Sequence, residues 1–309
     1  MVVTIGQLRT FLAVAATGSV RQAAERLVVT QPAVSAALAA LQREVGVPLV
    51  AREGRGLRLT PAGVTFADHA RRALGLLDSG IAAATGAAEP ERGRIRLAAV
   101  TTAGERLVPP LLASFRAQLP DVDISLEVGN RRRIWELLAH HQVDLAIAGR
   151  PPATQAVVTL ATRPHQLVVV AARRGRAPVR RVGLSDLAAA TWLLREEASG
   201  TRTAAEDFLR ELELEPAVLT MGSNGAIREG VLIGLGITLV SRDAVAAELA
   251  EGTLEEWRCP PLPLRRQWHV AAPQDGFLSP TVELFLDHLA GAGWLITSKR
   301  GRQPLSKSP

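Results

Sequence analysis

The chain has 309 residues, 47% of them apolar, and a formal net charge of +6. That length accommodates two or three domains with real cores. No apolar run reaches the roughly eighteen residues a membrane span needs, so none is expected. The single cysteine, Cys259, excludes an internal disulfide and a cysteine metal cluster. The start, Met1 to Arg9, lacks the basic lead and long apolar core of a secretory signal, and a cytoplasmic location is expected.

Charge is unevenly placed. The first 60 residues hold seven Arg against three Glu, a net +4. Lys299, Arg300, Arg302 and Lys307 give the last twelve residues another +4, and the body between is slightly acidic. A basic N-terminal segment suits phosphate contacts. The tail, rich in Gly, Pro, Ser and basic residues, is expected to be disordered.

Leu8, Phe11, Leu12 and Ala15 predict a first amphipathic helix from Gln7 to Ala16. Gly18-Ser19 ends it and caps a second, whose Ala23, Ala24 and Leu27 share one face. After Val28-Val29, Thr30 and Pro32 give a helix-start signal. Val34, Leu38, Leu41 and Val45 then recur at four, three and four, one stripe of a 3.6-residue helix. Two short helices around a tight turn form a helix-turn-helix pattern, whose second helix enters the major groove of DNA. Gln31 and Ser35 lie in its first turns, where a Gln pairs with adenine and a Ser with either partner class. Pro48 to Thr60 holds two extended runs around Glu-Gly-Arg-Gly, a hairpin. Its Arg52 and Arg55 are placed like a wing reaching phosphates or the minor groove. Ser19, Arg21, Thr30, Gln31, Pro32, Ser35, Arg52 and Arg55 are the predicted DNA contacts. A packing unit without DNA is the competing reading, and the wing and charge argue against it.

Thr60-Pro61-Ala62-Gly63 opens a long helix to about Ala88. Phe66, Ala70, Ala73, Leu77 and Ile81 form a narrow seam on it, read as a dimer contact. Glu89 to Gly93 is a polar hinge. Strands and helices then alternate, which predicts α/β with mostly parallel sheets. Strands are expected at 95–100, 123–128, 144–148, 167–172, 191–194, 218–221, 237–240 and 268–272. Two sets of about five strands suggest two lobes.

Ligands of open α/β sheets sit beyond the carboxyl ends of strands. The segments there hold Thr101-Thr102, Asn130-Arg131, Arg150, Ser199, Thr201-Arg202 and Ser223-Asn224. Hydroxyls and arginines at helix starts suit an anion, because free N–H groups point at it. Singly, Thr101, Ser199 and Asn224 read equally well as helix caps. The convergent set favours a small-molecule cleft.

The ordered motifs Leu8-Arg9-Thr10-Phe11-Leu12, Ala23-Ala24-Glu25-Arg26-Leu27, Thr30-Gln31-Pro32-Ala33-Val34-Ser35, Val47-Pro48-Leu49 and Leu59-Thr60-Pro61-Ala62-Gly63 resemble the LysR-type transcriptional regulators. The resemblance runs from about Ile5 to Trp294. It departs at Val50, where the usual residue is Phe, and at Ala36-Ala37, where many relatives have Arg or Gln. It implies a multidomain protein with an all-α-type winged helix-turn-helix (1–61) and a linker helix and hinge (62–92). A two-lobed α/β effector domain resembling periplasmic binding proteins follows, with lobe I at 93–163 plus 267–297 and lobe II at 164–266. The basic tail is 298–309. The resemblance also implies homodimers or homotetramers on double-stranded promoter DNA, with RNA polymerase as a further partner and no cofactor. The segments around Thr101, Asn130, Arg150, Thr201 and Asn224 resemble the branch regulating carbon-fixation (Calvin-cycle) operons. That branch responds to phosphorylated metabolites and reduced nicotinamide nucleotides such as NADPH, which Arg131, Arg150 and Arg202 would suit.

An enzyme is the rival class and is not expected. His140-His141 end a helix without a metal-spaced partner, so solvent-facing or capping roles are expected. Ser199 lacks a nucleophile elbow. Gly234-Leu235-Gly236 precedes a strand and is a turn. Cys259 has no nearby base.

Overall fold

The computed structural model describes residues 2–54, 56–175, 179–197 and 199–297. Arg55 and the tail 298–309 lie outside these residues. The chain forms two compact units, Met1–Ile81 with His140–Gln142, and Ala82–Ala139 with Val143–Pro309.

In the first unit α1 (Ile5–Thr17), α2 (Val20–Leu27) and α3 (Gln31–Val45) pack around Phe11, Val14, Ala23, Val34, Leu38 and Leu41. α1 starts two residues before the expected Gln7, because Thr4 and Gln7 form a reciprocal capping box. Val28 closes α2 in left-handed backbone at φ 56°, an uncommon position for a β-branched residue. Strands β1 (Val50–Glu53) and β2 (Gly56–Leu59) pair antiparallel, with Glu53 opposite Gly56. Leu57 N–H donates to the Gly18 carbonyl at 2.8 Å, tying this hairpin to the end of α1. The Gln42 side-chain oxygen accepts from Leu49 N–H (2.8 Å) and Val50 N–H (3.2 Å), which fixes where the hairpin leaves α3. α4 (Pro61–Ala88) begins on the Thr60 hydroxyl, which accepts from Gly63 N–H at 2.9 Å.

The second unit opens with β3 (Arg94–Val100), a π-helical turn at Ala103–Leu107, α5 (Val108–Gln118), β4 (Asp123–Gly129), α6 (Arg131–Ala139) and β5 (Leu145–Ala148). β6 (Val157–Ala172), β7 (Val179–Arg181), α7 (Leu184–Ala189), β8 (Trp192–Arg195) and α8 (Gly200–Glu211) follow. Then come β9 (Val218–Met221), α9 (Asn224–Leu232), β10 (Thr238–Ser241), α10 (Ala246–Glu251) and β11 (Leu254–Arg258). β12 (Leu264–Pro273), α11 (Pro280–Gly291) and β13 (Leu295–Ile296) complete it.

Strand order is β4-β3-β5-β12-β6-β11-β7, with β10 and β13 also on β6, while β8 and β9 pair separately. β3 alternates: Ile95, Leu97 and Ala99 face the core under α5 and α11, and Ala98 faces Ile134 and Leu138 of α6. β6 does the same in the second lobe, with Val169 toward Trp192 and Phe208, and Val168 and Val170 toward Ile227 and Val231. Each lobe is therefore a sheet with helices on both faces.

The expectation of mostly parallel sheets needs correction. β3 is parallel to β4 and β5, but β12, β10, β11 and β13 all pair antiparallel with β6. The reason is the two long crossing strands. β6 and β12 run through both lobes as one antiparallel ribbon, with Trp268 opposite Arg163 and Arg266 opposite His165. Two strands passing between lobes in opposite directions must insert an antiparallel pair. The expected strand at 167–172 is only the second half of β6, and β11 was not expected at all.

Candidate functional site

The helix-turn-helix and the cleft of the second unit carry the predicted site residues. In the first, Gln31, Pro32 and Ser35 are exposed on the first turns of α3. Thr30 accepts from Ala33 N–H and Ser19 from Gln22 N–H, both at 3.4 Å, so these two hydroxyls cap α3 and α2. Arg21 is exposed and pairs with Glu25 at 3.5 Å. Arg52 is exposed on β1, and Arg55 lies outside the described residues. Gln42, one of the polar residues flanking the apolar stripe of α3, is committed to the hairpin hydrogen bonds and is half-buried.

The α4 seam divides. Phe66 packs edge-on against Phe11 with ring centroids 5.5 Å apart, and Ala70 is buried. Ala70 is covered by its own chain, which corrects its assignment to a dimer contact, whereas Phe66 packs on the three-helix core and keeps a partly exposed face. Ala73, Leu77 and Ile81 face solvent.

In the second unit, a cavity of about 630 Å³ opens at the carboxyl ends of β3, β4, β5 and β8 and against the β6–β12 ribbon. Thr101, Thr102, Asn130, Arg131, Arg150, Ser199 and Thr201 line it together. The Thr101 hydroxyl donates to the Gly129 carbonyl at 3.3 Å, and Arg131 Nη2 donates to the Arg150 carbonyl at 2.8 Å. Asn130 caps α6, accepting from Arg133 N–H at 3.0 Å. Gly200 and Thr201, at the start of α8, line the same space, and the first N–H groups of a helix have no partner within it.

Three predicted residues are elsewhere. Arg202 is turned away, bound to Glu206 (2.7 Å) and to the Arg195 carbonyl (3.0 Å). Ser223 is the exposed cap of α9, accepting from Ala226 N–H at 3.1 Å. Asn224 lies behind the cleft wall, accepting from Arg195 and donating to the Thr102 hydroxyl at 3.3 Å, so it joins one lobe to the other.

The ribbon supplies residues that the sequence reading missed: His165, Arg265, Arg266, Gln267, Trp268 and His269. Arg195 was also missed as a wall residue; it is buried and held by both Glu196 oxygens at 2.7 Å. Its hydrogen bonds lower the Glu196 carboxyl below the usual range. His165 stacks on Trp268, centroids 4.1 Å apart and planes 12° from parallel. Burial pushes the His165 imidazole down to about 4, against a smaller opposing pull from Asp243 and with a further lowering by Arg266. His269 is lowered by burial first and by Arg150 second. The described lining thus holds five arginines, of which Arg195 is already paired with Glu196, two imidazoles whose protonation burial disfavours, and no Asp or Glu. Such a wall attracts anions.

The sequence features weighed for enzymatic roles resolve otherwise. His141 is buried in left-handed backbone at φ 52° past α6, which corrects the solvent-facing role expected of it. Gly234 is a turn residue at φ 81°. Cys259 is buried, which raises its thiol. No group of three or more potential metal ligands occurs among the described residues.

Comparison with known proteins agrees with this division. Residues 5–64 match the model for the bacterial regulatory helix-turn-helix protein, lysR family, and residues 88–294 the LysR substrate binding domain. The chain is 36% identical over 288 residues to the HTH-type transcriptional activator CmpR of Synechocystis sp., covering 93% of this chain and 94% of CmpR. It is 36% identical over 296 residues to the RuBisCO operon transcriptional regulator of Acidithiobacillus ferrooxidans, covering 94% of each. Among solved structures, the regulatory domain of Synechocystis PCC6803 CcmR in complex with 2-PG superposes with a TM-score of 0.59 at 30% identity, covering 64% of this chain and 96% of that one.

Proposed function

This chain belongs to the LysR family of helix-turn-helix transcriptional regulators, and from that premise we propose that it senses a small phosphorylated anion in the arginine-lined cleft and transmits its occupancy to promoter DNA. It is a regulator and not an enzyme. We place the DNA-reading domain at 1–61, the linker helix and hinge at 62–92, and the two lobes at 93–163 plus 267–297 and at 164–266. The observation that carries the effector reading is the composition of the cleft: Arg131, Arg150, Arg265 and Arg266 beside the Glu196-paired Arg195, and a helix start, with no carboxylate among the described lining residues. Phosphate oxygens accept from guanidinium forks and free helix N–H groups at once. The ligand 2-PG in CcmR and the RuBisCO operon in the name of the A. ferrooxidans relative support a place in the carbon-fixation branch.

Thr101, Thr102, Asn130, Arg131, Arg150, Ser199 and Thr201 are the proposed effector contacts, now joined by His165, Arg266 and Gln267. Gln31 and Ser35 read bases, while Arg52 and Arg55 hold phosphates. Ala73, Leu77 and Ile81 are the proposed dimer contact, so that two recognition helices reach two half-sites. No described helix is long and apolar enough to cross a membrane, and we place the protein in the cytoplasm. Ligand binding across the lobes favours one arrangement of the β6–β12 ribbon over another, and coupling to DNA is reciprocal.

The test is a thermal-shift series on purified protein with phosphorylated sugars, nicotinamide nucleotides and unphosphorylated carboxylates. A dose-dependent shift with a phosphorylated ligand, lost in Arg150→Gln, supports the reading. A shift confined to unphosphorylated or uncharged ligands overturns it.

A further inference from the structure

A second cavity of about 290 Å³ lies behind the cleft, walled mainly by the second lobe and closed by Glu105 and Arg106 of the first. Its floor is Val170, Leu193, Val231, Val245 and Leu254, each at most 4% exposed. Its rim is cationic: Arg106, Arg202 and Arg228 line it, with Glu105 as the acid among its described lining residues. Arg195 and Thr201 form the wall it shares with the cleft.

The rim is incompletely neutralised. Arg106 and Arg228 approach the same Glu248 oxygen, each at 3.5 Å. Arg228 also touches Glu229 at 3.1 Å, but Glu229 is 63% exposed and its pull is screened by water. The Arg228 Nε and the Glu248 Oε2 are both buried without a hydrogen-bond partner, so this ion pair leaves one donor and one acceptor unused. Arg202 is held by Glu206, leaving Arg106 and Arg228 as the available cations. An apolar floor of this kind stays dry and gains from an apolar occupant. Ligand-sized pockets begin near about 300 Å³, which sets the occupant at the small end.

We propose that this cavity is a second ligand site, distinct from the cleft, for a small monocarboxylate with an apolar body, its chain on the Val231–Leu254 floor and its carboxylate on Arg228 and Arg106. The proposal stands whether or not the cleft takes a phosphorylated ligand. An occupant here packs against the far side of Arg195 and Thr201 and so bears on two groups of the cleft wall.

Hexanoate is the probe, with acetate and hexan-1-ol as comparisons, titrated calorimetrically into the full-length protein at pH 7. The expected result is one hexanoate per chain with a dissociation constant of roughly 0.1–1 mM, and much weaker binding of acetate. Val231→Phe fills the floor and abolishes binding of both six-carbon probes. Arg228→Gln weakens hexanoate about tenfold and leaves hexan-1-ol unchanged. Arg228 is a third exposed, so this variant decides the matter even if Val231→Phe does not fold. Arg150→Gln, in the cleft, leaves hexanoate binding intact. Failure to saturate by about 20 mM overturns the proposal. So does hexanoate binding that Arg150→Gln removes and Arg228→Gln does not.

Discussion

Lowering the pH from 7 to 5 should destabilise the second unit through one imidazole, His165. Its ordinary value is 6.5, and burial against Trp268 lowers it to about 4 in the folded chain. Well above pH 6.5 neither state is protonated and the residue contributes no pH dependence. As the pH falls below 6.5, the unfolded chain binds a proton that the folded chain refuses, so stability falls until about pH 4, where both are protonated. For these two values the loss at pH 5 is about 2 kcal/mol. All five tryptophans lie between Trp135 and Trp294, so their fluorescence follows the second unit alone. Urea unfolding of the parent and of His165→Gln, each at pH 7 and pH 5, isolates the effect. The lost Trp268 stack costs the variant a similar amount at both pH values and cancels. The parent should lose about 2 kcal/mol more than the variant. Equal losses would refute a neutral, buried His165 in the cleft wall.

Three further outcomes follow from the geometry. A Cβ at Gly63 would overlap the Leu49 carbonyl oxygen, so Gly63→Ala should destabilise the first unit by roughly 2–4 kcal/mol and abolish DNA binding, read by circular dichroism and gel shift; an unchanged melt contradicts this. Gln31→Ala should flatten the preference for operator over mutated operator, whereas Arg52→Ala should weaken binding to every sequence and reduce the salt slope by about 1; full discrimination by the Gln31 variant removes it from base reading. Glu at the exposed Leu77 and Ile81 should yield monomers by analytical ultracentrifugation, while a dimer that survives both changes moves the interface elsewhere.

The first unit was legible because its signals are local. Thr30 with Pro32 announces α3, the four-three-four spacing places Val34, Leu38 and Leu41 in its core, and Glu53-Gly54 with Gly56 announces the hairpin. The cleft was legible in part, since loops after parallel strands converge by topology, and Thr101, Asn130, Arg150 and Thr201 do meet. Its ribbon wall was not. Residues 264–268 of β12 alternate weakly, and nothing local says that Arg266 stands opposite His165. Long-range packing also decides which of two arginines seven residues apart lines the cleft: Arg195 does, while Arg202, better placed in the helix-start motif, is bound to Glu206 four residues on. Ala70 falls to a similar reason, because periodicity on α4 shows a face but not what covers it.

The proposed regulator couples an anion in the cleft to DNA held by α3 and the hairpin. The most direct measurement is fluorescence anisotropy of a duplex operator, selected from random sequence by the purified protein, with and without the phosphorylated ligand found by thermal shift. In the parent, saturating ligand should change operator affinity by about fivefold or more, the operator should change ligand affinity by the same factor, and Arg150→Gln should abolish both effects while still binding DNA. Ligand binding with no change in operator affinity or in the protected footprint would contradict the account.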